Sequence, residues 1–307
     1  MKILVTGGAG FIGSNLVEAL VEKRHEVIVV DNLFLGTEGN LAKVMKDVNF
    51  FKGDLRDKEL IKNISKDCDF IFHEAAASSA PMFFKDPTES FSSTVDGFLN
   101  ILHAAKENNV KRVIYASSSS VYCKLKPPHR EDMQVIPIDL YTLSKIVVEK
   151  MAKIYTDLFG LETVGFRYFS VYGPHEKAKG KYANIISQFL WDMKKGISPV
   201  IYGDGTQTRD FIYVKDVIQA NLLAMDMKKK IAGEVFNVGG GSAKSFNDIV
   251  EILNKVLETS LKPKYVKNPI KNYVMHTLAD TKKAKTILGF EAKYSLEQGL
   301  NEIKELN

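Results

Sequence analysis

The chain has 307 residues, of which 45% are hydrophobic and 26% are charged, and its formal net charge at pH 7 is +5. A chain of this length and composition buries a large core, which excludes an intrinsically disordered protein. The charge excess is small, and the densest basic run, Lys228 to Lys230, contains no aromatic residue, so the sequence favours a solvated helix end over a nucleic-acid interface. We expect a compact enzyme without a nucleic-acid partner.

Two cysteines, Cys68 and Cys123, are too few for a disulfide framework and lack the spacing of a metal site. We therefore expect reduced thiols and no bound metal. The apolar N-terminal stretch is broken by glycine at Gly7, which makes it too short for a secretory signal, and no segment approaches the length of a membrane span. These features predict a cytoplasmic protein that does not contact membranes.

Short β-branched segments alternate with longer segments of helical periodicity, which is typical of a parallel sheet with crossover helices. We predict strands at Lys2–Thr6, Val27–Val30, Asn49–Lys52, Asp69–His73, Arg112–Ala116 and Thr163–Tyr168, and helices at Phe11–Lys23, Thr88–Asn108 and Ser144–Phe159. This alternation predicts the α/β class and, within it, a Rossmann-type doubly wound parallel sheet.

After about Gly173 the alternation gives way to Gly- and Pro-containing segments mixed with helices. We therefore divide the chain into a Rossmann domain over residues 1–173 and a smaller mixed α/β lobe over residues 174–307, which we expect to bind the substrate. The boundary is open, because a later strand at Val235–Val238 is able to return to the main sheet.

A glycine-rich segment, Thr6-Gly-Gly-Ala-Gly-Phe-Ile-Gly13, follows the first strand directly and opens the first helix. Glycines at this point permit a tight turn and a close approach to a pyrophosphate, whose charge meets free N–H groups and the positive end of the helix dipole. The alternative is a glycine-rich turn without a ligand. The dinucleotide-binding residues predicted here are Gly7, Gly10, Phe11, Ile12 and Gly13.

Two acidic residues follow the next two strands. Asp31 ends the second strand, where a carboxylate accepts hydrogen bonds from adenosine ribose hydroxyls and repels a 2′-phosphate, which favours NAD over NADP. Alternatively, Asp31 and Asn32 only begin a turn. Asp54 and Leu55 are predicted to flank the adenine, although the same residues also suit an ordinary loop into a helix. The domain over residues 1–173 is thus predicted to bind NAD.

A tyrosine and a lysine, Tyr141 and Lys145, are spaced so that they lie one turn apart on the same face of a helix. A free tyrosine titrates near about pH 10, so a base at neutral pH requires stabilisation of the phenolate by Lys145 or by the positive charge of a nicotinamide. Such pairs are common on helix surfaces. Here, however, the serine run Ser117–Ser120 follows a predicted strand at the sheet edge where ligands bind, which favours a catalytic site.

These motifs resemble the extended short-chain dehydrogenase/reductase family, and within it the UDP-glucose 4-epimerase branch, over essentially the whole chain. The segments that carry the resemblance are the glycine motif, His73-Glu-Ala-Ala-Ala77, Tyr115-Ala-Ser-Ser-Ser-Ser-Val-Tyr122, Tyr141 to Lys145, Arg167-Tyr-Phe-Ser-Val-Tyr-Gly-Pro174, Tyr202-Gly-Asp-Gly-Thr-Gln-Thr-Arg-Asp-Phe-Ile-Tyr-Val214 and Ala279-Asp-Thr-Lys-Lys-Ala284. Several long motifs in one order are far more specific than any single one.

The resemblance implies a role for each matching residue. Tyr141 would be the catalytic base and acid, Lys145 would hold the nicotinamide ribose, and Ser118 would hydrogen-bond the reacting oxygen. The cofactor would also be lined by Ala75, Ala76 and Ala77. The substrate residues implied in the same way are Ser78, Ser118, Ser119, Ser120, Tyr141, Ser170, Pro199, Tyr202, Arg209 and Thr277.

The serine run also separates reactions within the family. Related 4,6-dehydratases carry Thr-Asp-Glu, and related decarboxylases usually carry a final Glu, where this chain has Ser118 to Ser120. The resemblance therefore implies NAD-dependent 4-epimerisation of a UDP-hexose, through a 4-keto intermediate and return of the hydride to the opposite face. The alternative is another NAD-dependent nucleotide-sugar oxidoreductase or dehydratase of this family.

The C-terminal lobe is expected to bind the nucleotide. By resemblance Arg209 pairs with the diphosphate, as a guanidinium suits phosphate oxygens, and the segment from Pro199 to Tyr202 lies along the uracil. The alternative for Arg209 is an ion pair with Asp204 or Asp210 that only stabilises the lobe.

Three positions depart from the family pattern. Ser170 stands where the family usually has an Asn, and Thr94 lies where an Asn often contacts the cofactor. Ile270 aligns with a usual Arg, and Lys271 is a candidate to supply the missing positive charge. We expect these changes to affect the choice of nucleotide sugar rather than the hydride chemistry.

The preferred sugar is predicted from Thr277, because similar enzymes with a small side chain there admit an N-acetyl group at C2. We therefore expect UDP-N-acetylhexosamines to be accepted as well as UDP-glucose and UDP-galactose, unless Thr277 only packs against its neighbours. The apolar positions of Val95–Ala105 and Ile146–Leu158 exceed what one sheet face requires, and relatives pair these helices into a four-helix interface. A homodimer is expected, and burial of those positions within one core is the alternative.

Overall fold

A computed structural model of the chain describes residues 1–269 and 273–305. The strands are β1 Lys2–Thr6, β2 Glu26–Asp31, β3 Val48–Lys52, β4 Phe70–His73, β5 Arg112–Ser118, β6 Thr163–Tyr168, β7 Ser170–Tyr172, β8 Val200–Tyr202, β9 Thr208–Tyr213, β10 Glu234–Val238, β11 Ala243–Ser245 and β12 Lys264–Val266. The α-helices are α1 Phe11–Glu22, α2 Lys58–Ile64, α3 Ala80–Lys85, α4 Pro87–Glu107, α5 Leu140–Phe159, α6 Ile185–Lys194, α7 Val214–Asp226, α8 Phe246–Leu257, α9 Lys282–Leu288 and α10 Leu296–Ile303. Short 3₁₀ helices span Glu38–Leu41, Met45–Asp47, Ser119–Tyr122 and Lys177–Tyr182.

A seven-stranded sheet, in the order β10-β6-β5-β4-β1-β2-β3, forms the centre of the molecule. All of its strand pairs are parallel, and the chain order reverses between β1 and β4, as in a doubly wound fold. The predicted α/β class and Rossmann-type sheet are confirmed. The seventh strand, β10, contains Val235–Val238 and pairs with β6, so the chain beyond residue 173 contributes to this sheet as well as to the smaller ones.

Two hydrophobic layers cover the sheet, because successive side chains of a strand point to opposite faces. In β1, Ile3 and Val5 pack in the layer that contains α1, whereas Leu4 packs in the layer that contains α4. All three side chains are fully buried. The helix α7 packs against α1, which places a late part of the chain over the first layer.

Helix α5 begins at Leu140, before the predicted start at Ser144. The earlier start has a local cause, since the Asp139 side chain accepts a hydrogen bond from the Thr142 N–H and the Thr142 hydroxyl accepts one from the Asp139 N–H. This capping box satisfies N–H groups that a helix start otherwise leaves unpaired. It also brings Tyr141 into the first turn of the helix that carries Lys145.

A second sheet, in the order β11-β9-β7, stands beside the carboxyl end of the main sheet, and β8 pairs separately with β12. Ser170 begins β7 and Arg209 lies in β9, so this sheet presents both residues near the end of β6. Among the described residues, no helix combines the length and apolar content needed to cross a lipid bilayer.

Candidate active site

Two adjoining cavities open at the carboxyl edge of the main sheet. The first, here called the glycine cavity, has a volume of about 520 Å³ and is lined by the β1–α1 turn; the second, the tyrosine cavity, has a volume of about 620 Å³ and is lined by Tyr141. Both volumes are in the range of small-molecule sites. The residues that line both cavities are Phe11, Ile12, Glu74, Ala76, Ser78, Lys179 and Tyr182. Ligands in the two cavities would therefore meet at this shared boundary.

The β1–α1 turn leaves space for a ligand backbone to approach. Gly7 has φ +67°, and a Cβ at this position would lie 2.6 Å from the backbone nitrogen of Ala75, so only glycine fits. Gly10 precedes α1, and no side chain caps this helix. The first N–H groups of α1 thus remain available to an anion, which fits the pyrophosphate of a dinucleotide.

Asp31 lies at the end of β2, is buried and lines the glycine cavity. Its Oδ2 accepts a hydrogen bond from the Ala9 N–H at 3.0 Å and its Oδ1 accepts one from the Leu33 N–H at 2.8 Å. Burial raises the pKa of Asp31, and these hydrogen bonds oppose the rise. Asp31 therefore both holds the turn and lines the cavity. Asn32 also lines the cavity, and its side chain accepts a hydrogen bond from the Phe34 N–H.

Asp54 and Leu55 line the glycine cavity at the start of the loop into α2. The Asp54 carboxylate is engaged by Arg56, with Nη2 to Oδ2 at 2.6 Å, and these hydrogen bonds lower the pKa of Asp54. Ala75, Ala76 and Ala77 line another part of the cavity wall, where the Ala75 backbone lies against Gly7. Thr94 does not line either cavity, but its buried hydroxyl accepts a hydrogen bond from the Ala77 N–H at 3.3 Å and so holds that wall.

Helix α5 places Tyr141 and Lys145 in the tyrosine cavity. Tyr141 is buried, and its ring packs against that of Phe83 on α3, with 5.6 Å between the ring centroids. Burial raises the pKa of Tyr141, and the neighbouring hydroxyls of Ser118 and Ser120 oppose this rise only in part. In the protein alone the phenol therefore keeps its proton at neutral pH, and activation as a base requires a further positive charge next to it.

Lys145 is the buried cation of the site. Its ammonium donates a hydrogen bond of 3.0 Å to the carbonyl oxygen of Ala116. Burial lowers the pKa of Lys145 to about 8, and the carboxylates of Glu74 and Glu149 oppose this shift. At neutral pH the side chain is a cation within the cavity wall.

The serine run divides between two environments. Ser118, Ser119 and Ser120 line the tyrosine cavity together with Tyr141, and the Ser118 hydroxyl oxygen accepts a hydrogen bond from the Ser120 N–H at 3.1 Å. This bond leaves the Ser118 proton free for a ligand or for Tyr141. Ser117 also reaches the cavity lining, but its hydroxyl donates to Glu149 at 2.5 Å.

Arg209 lines the tyrosine cavity, as does Ser170. Its guanidinium lies over the rings of Phe246 and Tyr273, at 5.5 and 5.3 Å from their centroids, and burial lowers its pKa. Within residues 1–269 and 273–305 it forms no ion pair. Such a cation without a counter-ion suits an anionic ligand.

The predicted ion pair of Arg209 with Asp204 or Asp210 is absent from the described part of the chain. The Asp204 carboxylate accepts from Thr206. The Asp210 carboxylate accepts from the N–H groups of Gly240, Gly241 and Ala279. Both carboxylates are thus engaged elsewhere.

Three predicted substrate residues lie outside the lining of both cavities. Pro199 and Tyr202 flank and end β8, where Tyr202 is 41% exposed. The Thr277 hydroxyl already accepts a hydrogen bond from the Asp210 N–H at 3.2 Å. The roles of these three residues stay predictions. Ile270 and Lys271 fall outside the described residues.

Sequence reasoning missed Glu74 and Lys179, which line both cavities. Glu74 directly follows β4, so its place at the carboxyl edge of the sheet was a usable signal. Lys179 comes from the segment between β7 and α6, which carries no motif that we recognised; its ammonium lies 3.3 Å from Glu176 and over the Phe11 ring.

Comparison with known proteins agrees with this geometry. The chain is 37% identical to a putative UDP-glucose 4-epimerase of Methanocaldococcus jannaschii, over 98% of this chain and 96% of the relative. It is 33% identical to a UDP-N-acetyl-alpha-D-glucosaminuronate decarboxylase of Bacillus cytotoxicus, over 98% and 96% respectively. It superimposes with a TM-score of 0.92 and 31% identity on all of a UDP-glucuronic acid 4-epimerase of Bacillus cereus, solved with UDP-glucuronic acid and NAD. Residues 3–239 match the family model of the NAD dependent epimerase/dehydratase family, and the chain belongs to that family.

Proposed function

We propose that the protein is an NAD-dependent nucleotide-sugar 4-epimerase acting on a UDP-hexose. The observation that carries the proposal is the meeting of the two cavities: Tyr141, Lys145 and Ser118 line one of them, directly beside the glycine turn that lines the other. A sugar carbon in the tyrosine cavity would lie between a proton acceptor and a dinucleotide.

The residues of the glycine cavity fit NAD. The uncapped start of α1 would hold the pyrophosphate, and Asp31 would accept from the adenosine ribose hydroxyls and repel a 2′-phosphate. Acceptance of a hydride from the sugar C4 and its later return is the chemistry that NAD supplies when bound. Before hydride transfer the oxidised nicotinamide ring would carry a positive charge beside Tyr141, and this charge is what the buried phenol needs in order to release its proton.

The chain's own part of the reaction is proton transfer and positioning. Tyr141 removes the proton of the C4 hydroxyl and returns it after the 4-keto sugar has turned, while the Ser118 hydroxyl hydrogen-bonds the reacting oxygen. Lys145, whose ammonium donates to the carbonyl oxygen of Ala116, would bind the nicotinamide ribose hydroxyls. The O4 proton therefore need not leave the site during turnover.

Arg209 supports a diphosphate-containing substrate. Its side chain lines the same cavity as Tyr141, and it has no carboxylate partner in the described part of the chain. Its guanidinium lies over the rings of Phe246 and Tyr273, and its remaining N–H groups would donate to phosphate oxygens.

Dehydration and decarboxylation are the second candidates, because one relative is a decarboxylase. These reactions need a further acid or base beside the sugar, and the three positions that provide it in related enzymes are Ser118, Ser119 and Ser120. Among the other carboxylates that line this cavity, Asp139 caps α5, Glu176 accepts from Ser187 at 2.5 Å, and one oxygen of Glu74 accepts from Tyr168 at 3.0 Å. Epimerisation needs no such group and is favoured.

The preferred sugar, the assembly and the location extend the proposal. The small side chain of Thr277 supports acceptance of UDP-N-acetylhexosamines beside UDP-glucose and UDP-galactose. A homodimer through α4 and α5 is supported by the packing of these helices side by side and by their exposed apolar residues, Leu99, Ile154, Leu158 and Phe159. The unpaired Cys68 and Cys123 favour the reducing cytoplasm.

The test starts with mass spectrometry of small molecules released from the purified protein, followed by NMR of products from UDP-glucose, UDP-galactose and their N-acetyl analogues. We expect bound NAD and interconversion of C4 epimers. Tyr141→Phe should lose at least about 100-fold in kcat, whereas Tyr155→Phe, on the same helix but outside both cavities, should keep full activity. Equal activity of the two variants would refute the assignment. A particle of 34.4 kDa in light scattering at micromolar concentration would refute the dimer.

A further inference from the structure

Glu74 is a carboxylate at the boundary of the two cavities that the proposed mechanism does not use. Its N–H donates to the carbonyl of Thr6 at 3.1 Å, which fixes its backbone to the end of β1. Its Oε1 accepts a hydrogen bond from the Tyr168 hydroxyl at 3.0 Å. Its Oε2 is inaccessible to solvent and has no hydrogen-bond partner within the described residues.

The hydrogen bonds of the Tyr168 hydroxyl show which group donates to which. Asn221 donates to the Tyr168 hydroxyl at 2.8 Å, so the single phenolic proton goes to Glu74. One oxygen of the carboxyl group is thus held from β6. The other oxygen is buried without a partner, and Glu74 lines both cavities, so an unneutralised carboxyl group lies in the wall of the shared boundary.

A dinucleotide bound as proposed places its reacting ring at this boundary. The adenosine end lies toward Asp31 and the pyrophosphate at the start of α1, so the nicotinamide end extends toward Tyr141 and Lys145. The oxidised ring carries a positive charge and the reduced ring does not. An adjacent carboxylate in a poorly hydrated site distinguishes these two forms strongly.

We propose, on the basis of the function proposed above, that Glu74 is the counter-charge of the oxidised nicotinamide ring and makes the protein hold its cofactor as NAD⁺ rather than NADH. The residue then contacts the cofactor and stabilises one oxidation state of it. This role would be useful to an epimerase. If the keto sugar left before the hydride returned, the protein would be left inactive with bound NADH, and a preference for NAD⁺ would favour exchange of that NADH for NAD⁺.

Burial raises the pKa of Glu74 to about 8, and Tyr168 and Lys145 oppose the rise. The carboxyl group is therefore largely neutral at pH 6 in the protein alone and becomes charged toward pH 8. Binding of NAD⁺ to the charged form is linked to release of a proton, so the preference for NAD⁺ should increase with pH across this range. The other titratable groups that face Glu74 or line the same boundary are Lys145 and Tyr141 from α5, Tyr168 from β6, His73 from β4, and Glu176 and Lys179 from the segment before α6.

The experiment is a competition for the cofactor site. Protein is equilibrated with equimolar NAD⁺ and NADH at pH 6, 7 and 8, separated from free nucleotide by rapid gel filtration, and its bound pair is quantified by chromatography. Glu74→Gln keeps an acceptor for Tyr168 but removes the charge. We expect the wild-type bound ratio of NAD⁺ to NADH to rise about tenfold from pH 6 to pH 8, and the Gln variant to stay near the wild-type pH 6 value throughout.

Glu89→Gln is the matched control, because Glu89 also lines the glycine cavity but is half exposed and already paired with Arg56 at 2.7 Å. Its ratio should follow that of the wild type. A slope that persists in Glu74→Gln belongs to Lys145 and would overturn the proposal, as would equal ratios in the Gln variant and the wild type. Should the Gln variant not fold, the wild type alone decides: a ratio that does not change between pH 6 and pH 8 overturns the role of Glu74. Failure of the wild type to bind either nucleotide would instead remove the proposed function itself.

Discussion

The ammonium of Lys145 donates its hydrogen bond to the carbonyl oxygen of Ala116, and this 3.0 Å contact fastens α5 to the end of β5. The helix that carries Tyr141 and the strand that leads into the serine run are thus tied together by the same side chain that is proposed to bind the cofactor. A buried cation in this position costs stability while it provides binding.

Lys145→Met should therefore separate stability from activity. The burial that lowers the pKa of Lys145 from 10.5 to about 8 makes the folded charged form less favourable at neutral pH, by up to about 3 kcal/mol. We expect the variant to gain about 1–3 kcal/mol in the free energy of unfolding at pH 7 and to lose at least about 100-fold in kcat. Urea denaturation and the epimerase assay measure the two effects.

The pH dependence of that gain follows from the direction of the shift. Between pH 8 and 10.5 the unfolded wild type binds more protons than the folded protein, so wild-type stability rises with pH and the advantage of Lys145→Met shrinks. Lys150→Met, at an exposed position of the same helix, should change stability by less than about 0.5 kcal/mol. A constant difference between Lys145→Met and wild type across pH 8 to 10.5 would contradict the burial argument.

Glu149 should be important for stability because it forms a buried pair with Arg167. The shortest contact is 2.7 Å, and the side chains are only 9% and 6% exposed. Glu149→Ala leaves the guanidinium buried without its carboxylate counter-charge, so we expect a loss of about 3–5 kcal/mol in the free energy of unfolding. Asp157→Ala removes the partner of Lys153 on the same helix, where both side chains are about half exposed, and should cost less than about 1 kcal/mol. Similar losses in the two variants would contradict this distinction.

Gly7→Ala should prevent retention of NAD. The added Cβ would meet the backbone of Ala75 at 2.6 Å, and φ at Gly7 is +67°. Gly160, which ends α5, has φ +71° with nothing within 4 Å of an added Cβ, so Gly160→Ala should cost only about 1–2 kcal/mol of backbone strain and keep the cofactor. Mass spectrometry of bound dinucleotide per protein chain compares the two, and full NAD content in Gly7→Ala would argue against the glycine turn as the binding element.

Asp31→Asn should weaken the discrimination between NAD and NADP. The substitution removes the charge that would repel a 2′-phosphate but keeps one acceptor for the backbone N–H groups of Ala9 and Leu33. We expect the affinity for NADP relative to NAD to rise about tenfold, corresponding to about 1.4 kcal/mol. Asp47→Asn, at an exposed position, serves as the control in the same titration, and an unchanged ratio in Asp31→Asn would place the ribose elsewhere.

Periodic patterns were sufficient to predict the main sheet and the helices that carry its chemistry. β1 and β6 lie where the sequence predicted them, and Tyr141 and Lys145 share one helix face at the predicted sheet edge. These features depend on local spacing and on the alternation of strands and helices. The start of α5 was missed because the cap, Asp139, lies outside the apolar pattern that identifies the helix.

Contacts between distant parts of the chain could not be predicted in this way. The alternative ion pair of Arg209 could not be judged from spacing, because the Asp210 carboxylate is engaged by the N–H groups of Gly240, Gly241 and Ala279, which are 30, 31 and 69 residues away. The unpartnered oxygen of Glu74 likewise depends on Tyr168, which is 94 residues away in sequence. Sequence spacing shows which side chains share a helix or strand. The orientation of each side chain and its contact partners depend on how the helices and strands pack together.

The position of β10 has a consequence for how the protein can be made. β6 is buried along its whole length, and β10, more than sixty residues later, pairs with it in register from Glu234 to Val238. A fragment that stops at residue 173 would expose the unpaired edge of a strand whose residues are all buried in the full chain, which is a template for aggregation. During synthesis on the ribosome the main sheet therefore stays incomplete at this edge until β10, residues 234–238, has been made.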